Sequence, residues 1–494
     1  MGELHRMLRN FSVVAVAQAI TWTATFLFTL AQARYLVPAH FGELSLALSY
    51  AALMAVVVDF GLSTKLARDV AQRPETAGQA LVATMLVRVG LWSVVMPLVW
   101  VLTGILGYDQ ELRTSIGILG ISLLIGGFAV SLGAYFQGRE EFLFPSLGSI
   151  AQRASAAVLG VALLALGQGV IVIATVYVVA SLLQVVVMII GLRRHPAEYT
   201  PVKRSTVVGI FRGSAVLGCF WILGAFYYNV DMLILQRLVP LDNLALYAAA
   251  YRLFNAALMV GGLFLGMVLY PVLARLSVGS RDELRRALER AFTFLITSGV
   301  FLALVLIFEA DYVVALLYPA HDYGDAATSL RLLAPGVATM YANGAFFLAL
   351  LGLGFERRLL VMAAVLAVVN PIANIIAIPL LQQNGAALVT SLTEAAVLVW
   401  VLALTPADLR RAARPRVIAN VAIAALPAIA CLVLLRDQVV IAVLAAGILY
   451  IATVLALGTV RPDELRALRN VVVRARAAGR PDDVQVVAPG TAEP

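Results

Sequence analysis

The sequence predicts an all-α polytopic membrane protein of about fourteen transmembrane helices: two pseudo-symmetric six-helix lobes, an extra C-terminal helix pair, and both termini inside. Three observations predict it. Of 494 residues, 62% are hydrophobic and 13% charged, and mean hydropathy is +0.94, outside the range of soluble globular domains. The apolar residues gather into runs of about 20, the length a helix needs to cross a bilayer. Lys and Arg concentrate in alternate connections, as the positive-inside rule requires when the crossings are counted correctly.

In order, the runs cover approximately 11–33, 42–62, 80–106, 112–136, 145–167, 169–192, 214–238, 243–272, 290–318, 326–352, 359–381, 384–404, 417–435 and 438–460. The opening MGELHRMLRN is followed by no small-residue cleavage site, so the first run reads as a retained helix. With the N-terminus inside, inner segments hold 28 of the 36 basic residues. Five (Arg34, Arg113, Arg237, Arg331, Arg436) fall at outer connections and three (Arg88, Arg153, Arg252) within runs. The outer connections have eight residues or fewer and the longest inner one about twenty, which leaves no room for a soluble domain.

These runs divide the chain into an N-lobe at 1–192, an inner linker at 193–213, a C-lobe at 214–404, the extra pair at 405–460 and a basic tail at 461–494. A weak repeat supports the two lobes. Leu36-Val37-Pro38 recurs as Leu238-Val239-Pro240, and the same offset places Leu44 on Leu246 and Ala47 on Ala249. An offset of six helices is even, so the lobes have parallel orientation with a substrate path between them. Ser280 and Glu283 have capping-box spacing before the ninth run. In the tail, Leu465, Leu468 and Val472 form one face of a basic helix suited to an anionic leaflet, and PDDVQVVAPGTAEP reads as disordered. Pro97 is expected to interrupt the third run, and Pro371 and Pro379, with Asn370 and Asn374, the eleventh.

Several functions are excluded. Cys219 and Cys431 lie about 200 residues apart in apolar runs and define neither a disulfide framework nor a metal site. No G-x-x-x-x-G-K-[ST] phosphate loop occurs, and His5, His40, His195 and His321 are scattered without metal-ligand spacing. The net charge of +8 is dispersed among loops, which is a topology signal and not a nucleic-acid surface. No catalytic constellation is present, so the chain is not read as an enzyme.

The chemistry therefore rests on charges inside the apolar runs, where each costs about 2.5–3.5 kcal/mol on insertion scales. In the hairpin 224–276, Asp231 and Arg252 both lie roughly 10–13 Å below one membrane surface. They form either an ion pair between neighbouring helices or the lining of a hydrated cavity. Arg88 and Arg153 each lie about 12 Å from the inner surface, either snorkelling to headgroups or marking an entrance. Asp59, Glu394 and Arg34 complete the set. A guanidinium donates two parallel hydrogen bonds to phosphate and keeps its charge at any pH. Arg88 and Arg153 below, with Arg252 and Arg34 above, form a stepping route for an anionic headgroup, helped outward by about 4–5 kcal/mol per 100 mV if it carries two charges. The acids Asp59, Asp231 and Glu394 either neutralise these bases or bind a coupling cation, Na+ or H+.

Three stretches carry a family resemblance: ARYLVPAHFGELSLALSYAALMAVVVDFGLSTKLARDVA at 33–71, NVDMLILQRLVPLDNLALYAAAYRLFNA at 229–256 and VVNPIANIIAIPLLQQNGAALVTSLTEA at 368–395. With the fourteen-run layout, the chain resembles the polysaccharide-exporter, O-antigen-type branch of the multidrug/oligosaccharidyl-lipid/polysaccharide (MOP) flippase superfamily. That resemblance implies a flippase in the inner membrane of a prokaryote, moving polyprenyl-diphosphate-linked oligosaccharide to the outer leaflet by alternating access of two lobes. The implied partners are the lipid-linked oligosaccharide, membrane lipids and glycan polymerases or glycosyltransferases; no cofactor is implied, and a monomer suffices. The family's functional positions fall on Asp59, Asp231, Arg252 and Arg34. Lipid II flippases are close relatives, although the first run here holds no charge before Arg34. Other readings are a cation-coupled multidrug exporter, which the buried arginines disfavour, and a membrane glycan polymerase or glycosyltransferase, for which the outer loops are too short.

Overall fold

A computed structural model describes residues 2–194, 201–263 and 280–459, together with Leu265, Leu269, Leu273, Leu276 and Ser277. Among them the chain is helical throughout: α1 (Gly2–Tyr35), α2 (Pro38–Asp59), α3 (Leu62–Gln72), α4 (Ala77–Ile105), α5 (Gln110–Gly138), α6 (Leu143–Ala165), α7 (Val170–Arg194), α8 (Arg204–Leu238) and α9 (Leu241–Leu263). Then follow α10 (Arg281–Phe308), α11 (Ala310–Leu317), α12 (Ala320–Tyr323), α13 (Ala326–Gly352), α14 (Glu356–Leu381), α15 (Gln383–Leu404), α16 (Ala407–Arg410), α17 (Pro415–Leu434) and α18 (Val439–Ala456). The basic tail at 461–494 lies outside the described residues.

Helix wins even where side chains favour strand. α7 opens with VIVIATVYVV, whose β-branched content suits a pleated sheet in water. In hydrocarbon every backbone N–H and C=O needs a partner within the segment, and only a helix supplies it. Among the described residues, eleven spans are long and apolar enough to cross a membrane. The helices α1, α8 and α9, of 34, 35 and 23 residues, overlap the three remaining predicted runs, α9 as far as Leu263, beyond which most of the rest of the eighth run lies outside the described residues.

Local outcomes differ from the sequence reading at five places. The second run is divided, because Phe60 and Gly61 both adopt left-handed backbone (φ 46° and 72°) and turn the chain from α2 into α3. In α3, Leu62, Leu66 and Val70 recur on one face and are buried, while Lys65 and Asp69 pair at 2.8 Å. α8 begins ten residues before the predicted run, and the ninth run is split at Glu309 into α10 and α11. Pro97, Pro371 and Pro379 sit inside continuous helices, because neighbouring helices hold the chain in line despite each missing donor. Ser280 is the N-cap of α10, but its side chain caps nothing; the helix starts where the spacing predicts without the side-chain bond.

Packing follows chain order. α1 lies on α6, α6 and α5 on α7, and α2 on α5. Farther along, α10 lies on α13, α13 on α9 and α15, α14 on α8 and α15, and α17 on both α10 and α18. The two sets meet where α2 contacts α8 and α9 and where α4 contacts α8. Gly42 permits that contact: a Cβ there would come 2.5 Å from the Leu241 carbonyl oxygen.

Candidate functional site

The bundle has two ends, here called the Pro38 end and the Asp59 end after the residues that bound α2. Toward the Asp59 end, α2, α4, α5, α6, α7 and α8 enclose a cavity of about 650 Å³. Its charged lining is Asp59, Arg88 and Arg153, accompanied by Gln152, Gln184, Ser122, Ser181, Tyr177 and, from α8, Trp221.

Arg88 is 2% exposed. It is not snorkelling to a headgroup, because Nε and one terminal nitrogen of its guanidinium are engaged inside the bundle. It donates to Asp59 Oδ1 at 2.6 Å, to Ser63 Oγ at 3.1 Å and, through Nε, to Ser131 Oγ at 3.1 Å. Ser63, one turn beyond Asp59 across the Phe60–Gly61 turn, also donates to Asp59. Room for this arrangement comes from Gly127, where a Cβ would lie 2.7 Å from Arg88 Cδ. Arg153 behaves differently. It is exposed on the cavity wall and has no ion-pair or hydrogen-bond partner among the described residues.

A second pocket, of about 10 Å³, lies among α8, α9, α13, α14 and α15, with room for one water or one small cation. Asp231, Glu394, Tyr227, Asn370 and Thr390 line it. Glu394 is 2% exposed and accepts from Tyr227 at 2.9 Å; Asp231, 4% exposed, accepts from the Tyr247 hydroxyl and from Met232 N at 2.9 Å. Neither acid has a cationic side-chain partner among the described residues. The site predicted from sequence is thus separated into a roomy basic region and a tight acidic one.

Asp231 and Arg252 do not form the interhelical ion pair that is one sequence expectation, because each is held by other groups. Arg252 crosses from α9 to the N-terminal helices: its guanidinium lies 4.4 Å from the centroid of the Phe41 ring and donates to Ser45 Oγ at 3.1 Å and Gln32 Oε1 at 3.4 Å. Gln32 in turn donates to Tyr177 Oη at 3.1 Å, on the wall of the large cavity. Three further bonds join the helix sets at this end, Arg34 to the carbonyls of Leu316 and Leu317 at 3.0 and 3.4 Å, and Arg237 to that of Leu106 at 3.1 Å. Nearby Tyr108, in the α4–α5 connection, shares a 2.9 Å bond with Tyr50; burial first, then this bond, pushes its phenol well above the ordinary tyrosine range. Arg34 and Arg252 therefore latch the Pro38 end and do not line the cavity.

Sequence reading missed Ser63, Ser131, Trp221, Tyr227 and Tyr247. Ser63 follows Asp59 by four residues, but the left-handed turn at Phe60 and Gly61 puts them on different helices, so no helical spacing announced the contact. Asn370 was visible only as a companion of a helix-breaking proline, although its amide lines the acidic pocket.

The comparisons agree with this architecture. No curated protein matches the chain. Its fold is similar to that of the lipid II flippase MurJ in an inward closed conformation, with a TM-score of 0.69 at 15% identity over 89% of this chain and 97% of that one. It is also similar to a multidrug resistance MATE family transporter of the MOP superfamily in an inward-facing conformation, at 0.62 and 15% identity over 78% and 96%. A third similar structure is a MOP superfamily transporter from Pyrococcus furiosus described as having a binding pocket of reverse polarity, at 0.59 and 14% identity over 82% and 96%. A model of polysaccharide biosynthesis proteins matches residues 7–277, more than half of the sequence. By that match, and with a multi-pass fold like that of MOP superfamily transporters, the chain belongs to the polysaccharide biosynthesis protein family.

Proposed function

We propose that this protein is a flippase that carries polyprenyl-diphosphate-linked oligosaccharide across the inner membrane of a prokaryote. The observation that carries this reading is Arg153, a guanidinium without a partner among the described residues on the wall of a cavity of about 650 Å³, a volume in the range of small-molecule sites. Arg153 receives the diphosphate, while Arg88, held by Asp59, supplies a fixed positive wall. Gln152, Gln184, Ser181 and Tyr177 offer hydrogen bonds to phosphate or sugar hydroxyls. The Asp59 end faces the cytoplasm, as the distribution of basic residues requires, and cargo enters there.

In this reading the helices before and after the 193–213 linker work as two lobes, with 405–460 as an accessory pair. Arg252 and Arg34 hold the outer end shut, and their release opens it. Asp231 and Glu394 bind a coupling Na+ or H+ in the small pocket, whose occupancy alters how α8 and α9 pack on their neighbours. Lipid II is the second reading of the cargo, because that is the cargo named for the MurJ structure, whose fold this chain shares over nearly its whole length.

The test is transbilayer movement of a fluorescent polyprenyl-diphosphate oligosaccharide in proteoliposomes, with lipid II as competitor. Wild type moves the probe, Arg153→Ala abolishes movement while remaining folded, and lipid II competes weakly. Equal movement by wild type and variant would make Arg153 structural and remove the basis for a phosphate route. Strong competition by lipid II would replace the first cargo with the second.

A further inference from the structure

We infer that the Pro38 end carries a site for a divalent transition-metal ion of the zinc class, built from His40 and Glu43 of α2 and Glu111 of α5. One ligand atom from each, an imidazole nitrogen and two carboxylate oxygens, lies within 4.8 Å of the others. His40 and Glu43 are three residues apart in α2 and share a face. Glu111 occupies the first turn of α5, which packs against α2.

Glu43 is the observation that points to a ligand. It is 4% exposed, and its Oε1 is buried with no hydrogen-bond partner. A buried carboxylate oxygen without a donor is disfavoured unless a counter-charge meets it. The surrounding charge makes matters worse, since Asp109 and Glu111 both act on Glu43 with the same sign. Among the described residues no arginine or lysine is ion-paired with Glu43. A bound cation meets Glu43 and Glu111 together, and the exposed His40 and Glu111 give it a path from solvent.

The donor set selects the ion. Calcium and magnesium take oxygen ligands, whereas an imidazole nitrogen with two carboxylates suits zinc and its neighbours, leaving a position for water. The site is separate from the cargo cavity and from the acidic pocket, with which it shares no residue. Sequence spacing could not reveal it, since Glu111 lies about 70 residues from His40 and only the packing of α5 on α2 unites them.

The experiment uses the full-length protein without a histidine tag, purified in detergent and stripped with chelator. Zn2+ is titrated against a chromophoric competitor, with Mg2+ and Ca2+ in separate arms. One Zn2+ binds per chain, Mg2+ and Ca2+ at equal concentration do not displace it, and His40→Ala and Glu43→Gln each weaken binding at least about tenfold. His321→Ala leaves binding unchanged. If Glu43→Gln fails to fold, His40→Ala decides, because His40 is exposed and its removal leaves the packing intact. Absence of stoichiometric Zn2+ binding overturns the inference, as does binding that His40→Ala leaves unaltered or that Ca2+ displaces equally well.

Discussion

The large cavity beside α2 and the small pocket beside α8 are opposite in charge and in volume. In the cavity of about 650 Å³, the acid Asp59 is committed to Arg88, and a second base, Arg153, has no partner among the described residues. In the pocket of about 10 Å³, Asp231 and Glu394 are held by tyrosine hydroxyls, with no cationic side chain beside them among the described residues. A roomy basic region suits a bulky anion and a tight acidic one suits a small cation. The difference teaches that the charges within the apolar runs are divided among separate surroundings. They do not form a single line of stepping stones.

The largest effect expected from this comparison is Asp59→Ala. It strands Arg88, 2% exposed, without its counter-charge, and costs about 3–5 kcal/mol of stability. Thermal unfolding in detergent measures it, and Asp59→Ala with Arg88→Met recovers most of the loss. If the single variant is as stable as wild type, Arg88 does not depend on the pair and the contrast with Arg153 disappears.

Arg153→Ala comes next, with the opposite signature. No partner is lost, so stability is unchanged, while headgroup binding weakens by about 1.5–3 kcal/mol, on the order of 10–150-fold, for a charge-assisted hydrogen bond. Fluorescence titration with a short-chain polyprenyl-diphosphate sugar reads this directly.

A smaller effect belongs to the latch. Arg252→Ala removes the Phe41 ring contact and the bonds to Ser45 and Gln32, about 1–2 kcal/mol of contact across the Pro38 end. Spin labels on α2 and α9 at that end should show a larger separated population, with cargo binding at the Asp59 end retained. Finally, Asp231→Asn keeps an acceptor for Tyr247 and Met232 but removes the charge. It should leave headgroup binding unchanged and abolish the dependence of transport on Na+ or on a proton gradient; weakened headgroup binding would merge the two regions into one site.

Much of the fold was legible in the sequence because a bilayer imposes a length and a periodicity that apolar runs report directly. Among the described residues the predicted runs fall on helices, two of them divided, and the α10 start at Ser280 falls where the spacing put it. The α2–α3 turn was not legible: a single glycine at Gly61 does not announce that Phe60 will also become left-handed. The candidate site was legible as a set of costly residues. Asp59, Arg88, Arg153, Asp231, Arg252 and Glu394 stand out because charge within hydrocarbon demands a reason.

Partnership was a different matter. Asp231 and Arg252 are at similar depths in one hairpin, which made an ion pair reasonable, yet Arg252 turns to α1 and α2 and Asp231 to Tyr247. The sequence by itself determined which segments enter the membrane and which charges must be compensated there, since transfer free energy depends on composition and span length. Tertiary structure alone decided which charge meets which partner and which faces the cavity. Helix rotation and packing set those distances, and a few ångströms separate a closed ion pair from a free binding group.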